Sequence, residues 1–344
     1  MRSMISKLVA SPGFSFYVTA VLFVILFGIG SVAFDSFFST QVLLNLFIDN
    51  APLIIVTVGI TFAIISGGGG IDLSVGAVVS LCCMTLAVLM RDTQINIYLC
   101  MLIALAIGFC IGLLNGFFIT FFKLQPFIVT LASMFLCRGL TAILSRDSVP
   151  IENAEYSDLA FWSLEIGDVF LSLGAIIALI TVVIGAVVLH YTPFGRSVYA
   201  VGGNEQSSRL MGLKVDSIRL KVYVISGTCS ALGGIVYSWT MLSGYTGHGL
   251  GMEMDAIASS VIGGTQLLGG VGFIPGTLIG VMIQGTILTI ISFQGTLSAW
   301  WTKIVVGILL CLFIIMQAVI NSHKSKLMDL HAEEHGKDKK DSKT

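Results

Sequence analysis

The chain has 344 residues, of which 56% are hydrophobic and only 11% are charged, and its mean hydropathy is +0.96. This composition excludes an ordinary soluble domain and indicates an integral membrane protein. The formal net charge of −1 says little about partners, because in a membrane protein the placement of lysine and arginine carries the information.

Uncharged runs along the chain are long enough for ten membrane-spanning helices, since about 20 apolar residues cross a bilayer. We predict spans, in chain order, at about 15–34, 45–65, 74–90, 97–122, 126–144, 169–190, 219–241, 257–271, 275–292 and 299–320. They form one transmembrane domain over 15–320, preceded by a segment at 1–14 and followed by a charged tail at 321–344. The first span is expected to be an uncleaved anchor, because its apolar stretch is too long for a typical signal peptide.

Basic residues concentrate on one side of this arrangement. The N-terminal segment, the loop after the fourth span and the region after the sixth hold Arg2, Lys7, Lys123, Arg196, Arg209, Lys214, Arg219 and Lys221, and the tail on the same side is rich in lysine. The loop between the fifth and sixth spans is acidic, with Asp147, Glu152, Glu155, Asp158, Glu165 and Asp168. The positive-inside rule places the basic side, and with it both termini, in the cytoplasm.

The second span is followed by the stretch ISGGGGIDLSVG, residues 65–76. Non-helical backbone persists at membrane depth only where it is buried in protein or lines water, so the four glycines indicate a helix break. Asp72 or Ser74 can cap the helix that follows. Two interpretations stay open: a tight capped turn at the cytoplasmic boundary, or a part of a transport path or gate that includes Gly67, Gly68, Asp72 and Ser74.

A sequence repeat relates the two halves of the domain. IGLLNGFFITFFKLQP in the fourth span resembles IGVMIQGTILTIISFQG in the ninth and brings Asn115 into register with Gln284. Five predicted spans separate the copies, and an odd number reverses the direction of the chain. We therefore expect two inverted five-helix repeats, at about 15–144 and 169–320, with the path at their interface.

Polar side chains inside the predicted spans are functional candidates, because charges there are costly. Arg138 lies well inside the fifth span and needs an acid, carbonyl oxygens or water, so either a contact between helices or a contact with the solute explains it. Amide side chains can bind a sugar, but they also join helices. A weaker sequence similarity between the two halves relates Asp255 to Asp72. The candidates are Asn115, Gln125, Arg138, Asp255 and Gln284.

The largest predicted cytoplasmic loop, 191–218, lies within HYTPFGRSVYAVGGNEQSSRLMGLKVDSIRLK. A short helix from Asn204 to Met211 is expected there, with Asn204 as its cap and Glu205 in its first turn. The loop is either a simple connection or a docking element for a partner. The residues that would serve docking are Arg196, Gly202, Gly203, Asn204, Glu205, Arg209, Leu210, Met211 and Gly212.

Motifs for catalysis are missing from the sequence. GxxxxGK[ST] does not occur, there is no nucleophile beside a base, and the seven cysteines lack the spacing of metal ligands. We therefore predict that the chain is not an enzyme and that it binds no metal or cofactor directly. A nucleic-acid partner is not expected either.

Four motifs together resemble the permease subunits of bacterial ABC importers for sugars of the ribose, xylose and arabinose type: ISGGGGIDLSVG, TLASMFLCRGL, PFGRSVYAVGGNEQSSRLMGL and DAIASSVIGGTQLLGGVG. VPIENAEYSDL and FQGTLSAWWTKIVVGILL are most similar to a permease of the galactofuranose importer. The resemblance implies an all-helical membrane fold of about ten helices, some broken or short, of the vitamin B12 permease type found in type II ABC importers.

The resemblance also implies partners in the bacterial inner membrane and on both sides of it. These are an ABC ATPase that uses ATP and Mg²⁺, a periplasmic sugar-binding protein, and a second permease, identical or homologous, with a heterodimer favoured. The loop around Gly202 to Gly212 is implied to dock in a groove of the ATPase. One departure from the family pattern, ISGGIDLSVG, is the presence of two more glycines, so the local geometry around Asp72 does not transfer. An ion- or proton-coupled secondary transporter is the alternative, because such proteins also use inverted repeats and broken helices.

Overall fold

The computed structural model describes residues 14–296, 298 and 300–319, and these fold almost entirely into helices. The chain before residue 14 and the predicted tail at 321–344 lie outside the described residues. The first half of the fold contains α1 (Phe14–Ala33), α2 (Thr40–Asp49), α3 (Ala51–Ile65), α4 (Val75–Asp92), α5 (Ile97–Phe121) and α6 (Pro126–Leu144).

Short strands and one helix connect the halves, namely β1 (Val149–Pro150), α7 (Ala154–Phe161), β2 (Ser163–Ile166) and β3 (Val169–Ser172). The second half contains α8 (Leu173–Tyr191), α9 (Pro193–Gly203), α10 (Glu205–Leu210), α11 (Val215–Met241), β4 (Ser243–Gly244), α12 (Met252–Ile262), α13 (Ile274–Gln294) and α14 (Trp300–Val319). Strand β2 pairs with β3, and β1 pairs with β4, both antiparallel.

Eight helices in the described part of the chain are long and apolar enough to cross a membrane, or nine if the bent pair α2–α3 is one crossing. The bend of 58° falls just before Pro52, which lies in the first turn of α3 and cannot donate a backbone hydrogen bond to the preceding turn. The all-helical membrane class is confirmed, and the eight helices coincide with predicted spans to within a few residues.

The predicted eighth span, 257–271, is wrong as a complete crossing. Helix α12 occupies this place with 11 residues, which is about 16 Å of helix against a hydrocarbon core of roughly 30 Å. The helix ends early because glycine is a poor helix former, and five glycines follow at Gly263, Gly264, Gly269, Gly270 and Gly272. The ten-helix layout is therefore not reproduced in the described residues, and the inversion of the repeats stays a prediction.

Helix α11 lies at the centre of the bundle and packs against α3, α4 and α5. Small residues allow these close contacts. A Cβ added to Gly112 of α5 would lie 2.9 Å from the Cα of Val224, and one added to Gly234 of α11 would lie 2.9 Å from the Cβ of Cys82. In lipid the hydrophobic effect does not drive helices together, so the van der Waals contacts made by closely approaching backbones stabilise the bundle.

Residues 242–251, which we call the re-entrant segment, turn back along α4 after α11 ends. Gly244 lies against Ala87 near the end of α4, whereas Gly249 lies against Gly76 near its beginning. These two places are about 16 Å apart along the helix. The segment is irregular backbone at membrane depth, where it needs polar partners inside the protein.

Candidate functional site

The break after α3 forms a backbone junction with two other parts of the chain. Gly67 has a φ of +69°, and a Cβ added there would lie 2.8 Å from the Cα of Gly202 at the end of α9. A Cβ added to Gly202 would overlap the carbonyl oxygen of Ile65 and lie 2.6 Å from the backbone nitrogen of Gly270. Only glycine permits this approach, so we call Gly67, Gly202, Gly269 and Gly270 the glycine junction.

The glycine junction joins both halves of the bundle to the segment that precedes α10. The backbone N–H of Gly270, after α12, donates to the carbonyl of Ile65, at the end of α3, over 2.9 Å. A Cβ added to Gly269 would lie 2.7 Å from the backbone nitrogen of Gly67. No side chain separates the backbones at these contacts, so the end of α9 packs directly against the end of α3 and the segment after α12.

Asp72 is completely buried at the start of α4. Its carboxylate accepts hydrogen bonds from the backbone N–H of Ser74 (3.0 Å), the hydroxyl of Ser74 (2.6 Å) and the hydroxyl of Ser226 on α11 (2.6 Å). Ser74 occupies the N-cap position of α4, but its side chain makes no capping hydrogen bond there. The carboxylate therefore ties the helix break to the central helix, a long-range role that the predicted local cap did not include.

The hydrogen bonds continue from Ser74 across two more helices. The amide of Asn115 on α5 donates to the Ser74 hydroxyl over 3.0 Å, and the hydroxyl of Ser133 on α6 donates to the Asn115 carbonyl oxygen. We call this chain from Asp72 to Ser133, with Ser226, the buried polar network. Each of its members is at most 3% exposed. In this conformation, Asp72, Ser74 and Asn115 therefore join helices and do not face solvent.

Helix α10 has the predicted position and cap. The Asn204 side chain accepts from the backbone N–H of Ser207 over 2.8 Å, and so satisfies a free amide in the first turn. Leu210, the last residue of the helix, is 84% exposed, and Met211, which follows it, is 69% exposed. These two large apolar side chains lie at the same end of the bundle as the glycine junction. We call this end of the bundle the α10 end.

Ion pairs hold α10 against the start of α11. Glu205 pairs with Arg209 (3.0 Å) and with Arg219 (2.7 Å), and Arg209 pairs with Asp216 (2.7 Å). Partial burial acts to raise the pKa of Glu205, but the positive charges of Arg219 and Arg209 and their hydrogen bonds lower it overall. Glu205 therefore remains ionised near neutral pH and links α10 to α11.

Two predicted path residues face the same space as these ion pairs. A cavity of about 420 Å³ at the α10 end is lined by Gly68, Lys123, Gln125, Glu205, Arg209 and Arg219, among others. A Cβ added to Gly68 would contact the Arg219 guanidinium. Arg196 is exposed on α9, and Gly212 follows α10 with a φ of +83°.

Arg138 has backbone partners. One terminal nitrogen of its guanidinium donates to the carbonyl oxygens of Thr246 and His248, each over 2.7 Å. Ser80 of α4 donates to the carbonyl oxygen of Tyr245 over 3.0 Å. The Arg138 side chain thus satisfies carbonyl groups of the re-entrant segment, and its contact with the solute stays a prediction.

Asp255 and Gln284 lie together, well away from the α10 end. The Gln284 amide donates to the backbone carbonyl of Asp255 over 3.0 Å, and the Asp255 carboxylate pairs with the ammonium of Lys303 on α14 at 2.6 Å. Lys303, Ser133 and Ser226 are not among the residues predicted from the sequence. Their partners Asp255, Asn115 and Asp72 are distant in the chain, so no local pattern marks them.

The described residues contain no group of three or more histidine, cysteine, aspartate or glutamate side chains placed to hold a metal ion. What they do contain is a bundle of apolar spans with broken helices, polar groups buried between them, and a capped helix displayed at one end. These features define a membrane transport subunit.

Comparison with known proteins gives the family. Residues 42–314 match the family described as "Branched-chain amino acid transport system / permease component". The chain belongs to this permease family. Comparison with the solved structures finds none that matches.

Curated relatives cover most of the chain. It is 46% identical over 285 residues to the inner membrane ABC transporter permease protein YjfF of Escherichia coli K12, which covers 83% of this chain and 86% of that protein. It is 38% identical to the fructose import permease FruG of Bifidobacterium longum, over 87% and 89% of the two chains. It is 37% identical to the ribose import permease RbsC of Haemophilus influenzae, over 77% and 81%.

The chain is thus a multi-pass protein of the inner membrane and a permease component of an ABC importer. Permeases of this kind catalyse no reaction and hold no cofactor, because the partner ATPase uses the ATP. An ATPase and a periplasmic binding protein follow as partners. The alternative of an ion-coupled secondary transporter receives no support from these relatives.

Proposed function

We propose that this chain forms the translocation path for a monosaccharide and works by alternating access, with galactofuranose as the first sugar to test. The resemblance of VPIENAEYSDL and FQGTLSAWWTKIVVGILL supports that sugar. The ribose and fructose named for its relatives support the wider class of monosaccharides. The family description mentions amino acids, but the names of the three relatives given above do not.

The proposed orientation places the α10 end and both termini in the cytoplasm, because the basic residues lie on that side. The exposed Leu210 and Met211 then project toward the ATPase and dock in it. A second permease, most naturally a homologous chain, completes the complex and places the path between two membrane subunits.

The proposed mechanism is based on the glycine junction. When ATP closes the ATPase, α10 is displaced, and the contacts of Gly202 with Ile65 and Gly270 pass that displacement to both halves of the bundle. A ligand shifts such an equilibrium only by its difference in affinity for the two states. The permease therefore needs little affinity for the sugar, and the periplasmic binding protein supplies most of the selectivity.

The experiment is sugar-stimulated ATP hydrolysis in proteoliposomes that contain this chain, its partner permease, the ATPase and the binding protein. Glu205→Arg removes the ion pairs of Glu205 with Arg209 and Arg219 and brings like charges together. We expect the stimulation to fall about tenfold, equivalent to about 1.4 kcal/mol, while the complex still assembles. The matched control is the charge exchange Glu205→Arg with Arg219→Glu, which restores one pair and should recover part of the stimulation.

Three outcomes separate the parts of this proposal. Stimulation by galactofuranose that Glu205→Arg weakens supports both the sugar and the docking element. Stimulation by a different pentose or hexose keeps the class of transporter and corrects the substrate. Uptake that follows an ion gradient, with no sugar stimulating an assembled complex, contradicts the proposal.

A further inference from the structure

A polar cavity lies between α3, α11, α12 and the re-entrant segment. Its volume is about 240 Å³, which corresponds to about eight water molecules in the liquid. Leu53, Tyr237, Gly247, Gly249, Met252 and Asp255 line it. The cavity suits one small polar molecule, and it is separate from the cavity at the α10 end.

The cavity lies toward the end of the bundle opposite α10. Leu53 is in the first turn of α3, which runs from there toward the glycine junction, and Tyr237 is in the last turn and a half of α11, which starts beside α10. Asp255 pairs with Lys303, which is in the first turn of α14. In the proposed orientation this is the periplasmic half of the membrane, where the binding protein releases the sugar.

The chemistry of the cavity fits a neutral molecule rich in hydroxyl groups. Asp255 lines the cavity, and its carboxylate accepts hydrogen bonds. Lys303 is not a lining residue but pairs with Asp255, and the two side chains remain 50% and 24% exposed, so its ammonium can donate to a molecule bound beside Asp255. Tyr237 also lines the cavity, and an aromatic ring provides an apolar surface against which a sugar can pack. The non-helical backbone at Gly247 and Gly249 adds peptide groups to the wall. The Lys303 ammonium beside the carboxylate disfavours a metal cation at the same place.

Contacts behind the cavity fix its walls. Arg138 holds the carbonyls of Thr246 and His248, and therefore the re-entrant segment, from the side of α6. Gln284 holds the backbone carbonyl of Asp255 at the start of α12. The polar groups of the cavity are therefore preorganised, which lowers the ordering cost of even weak binding.

We propose that this cavity is a sugar-contact site in the translocation path, in which Asp255 and Lys303 bind hydroxyl groups and Tyr237 packs against the sugar ring. The proposal rests on the proposed function, since it names where the transported sugar first contacts this chain. Arg138 and Gln284 act as positioning residues for the site.

The test compares variants in the reconstituted four-component complex, with labelled galactofuranose, ribose and fructose as probes. Tyr237→Ala removes the ring, and the double variant Asp255→Asn with Lys303→Met removes both hydrogen-bonding charges without leaving either unpaired. Asp158→Asn is the matched control, because Asp158 is an exposed acid on α7, outside the cavity. Maximal uptake rate, half-saturating sugar concentration and ATP hydrolysed per sugar are measured for each variant.

We expect both cavity variants to lower the maximal uptake rate about tenfold. Tyr237→Ala loses the packing against the sugar ring, and the double variant loses hydrogen bonds to sugar hydroxyls, whose loss is costly. The half-saturating concentration should stay unchanged, because the binding protein sets it, and more ATP should be hydrolysed per sugar. A merely structural defect would lower ATP hydrolysis and uptake together, and that outcome overturns the proposal. Wild-type uptake and coupling in both variants also overturns it, while leaving the proposed function intact. If the wild-type complex imports none of the probes, the proposed function fails along with the site.

Discussion

Asp72 and Asp255, which the sequence repeat relates, have opposite surroundings in the folded protein. Asp72 is fully buried and accepts three hydrogen bonds, two from serine hydroxyls and one from a backbone amide. Asp255 is partly exposed, pairs with Lys303 and lines a cavity. One acid joins helices within the protein, and the other is ion-paired and partly exposed at the wall of a cavity.

This difference extends to the two ends of the bundle. Near the α10 end, the glycine junction joins backbone directly to backbone, and the buried polar network has no exposed member. Toward the opposite end, the re-entrant segment leaves a cavity beside it. The two ends therefore differ in their contacts: backbones meet directly at the α10 end, whereas polar groups line a cavity toward the opposite end.

The largest expected effect distinguishes the two acids by stability. Asp72→Ala leaves three buried donors without their acceptor, at a cost of about 3 kcal/mol or more. We expect the Tm of the purified chain in detergent to fall on the order of 5–10 °C. Asp255→Ala removes only an exposed ion pair, worth about 0–1 kcal/mol, and should lower the Tm far less. Equal shifts for the two variants would break the comparison.

A second, smaller effect tests the glycine junction. Gly202→Ala introduces a Cβ that overlaps the Ile65 carbonyl, whereas a Cβ on the adjacent Gly203 meets no atom within 4 Å. We expect Gly202→Ala to cost about 1–3 kcal/mol through overpacking and Gly203→Ala much less. The measurement is again the Tm in detergent. Alanine forms helix better than glycine, so helix propensity cannot explain a loss at either position. If Gly203→Ala lowers the Tm as much as Gly202→Ala does, the close contact at the junction is not its cause.

The smallest effect concerns the enlarged glycine run. Gly69 has a φ of +72° with open space around its Cβ direction, while a Cβ on Gly67 would lie 2.8 Å from Gly202. Asparagine tolerates left-handed backbone better than most other non-glycine residues, so Gly69→Asn should cost less than about 1 kcal/mol of stability. Gly67→Asn should cost more, because it also meets the junction. Chemical denaturation of both variants checks this order, and a reversed order would show that the junction opens freely.

Much of the fold could be predicted from the sequence, because long apolar runs have few alternatives in a bilayer. The spans of α5 and α6 were predicted almost to the residue, and the short helix capped by Asn204 was found where expected. The eighth span was wrong because hydrophobicity continues past Ile262, whereas the glycines that follow end the helix.

The candidate site was predicted as a set of residues but not as an arrangement. Asp72, Asn115 and Arg138 were selected because polar groups in lipid need partners, and each has partners in the structure. The identity of those partners was not predictable, since Ser226, Ser133 and the Thr246 carbonyl lie far along the chain from the groups that they satisfy. Gln125 and Gln284, chosen for one path, lie in different places.

The sequence by itself determined that this protein lies in a membrane, which segments cross it and which loop carries a capped helix, because hydrophobicity, charge and capping act over a few turns of chain. Only the tertiary structure decided that Gly202 meets Ile65 and Gly270, that Asp72 closes a buried network, and that Asp255 shares a cavity with Tyr237. Those outcomes depend on how closely distant helices approach, which side-chain volume at each crossing sets and no local pattern encodes.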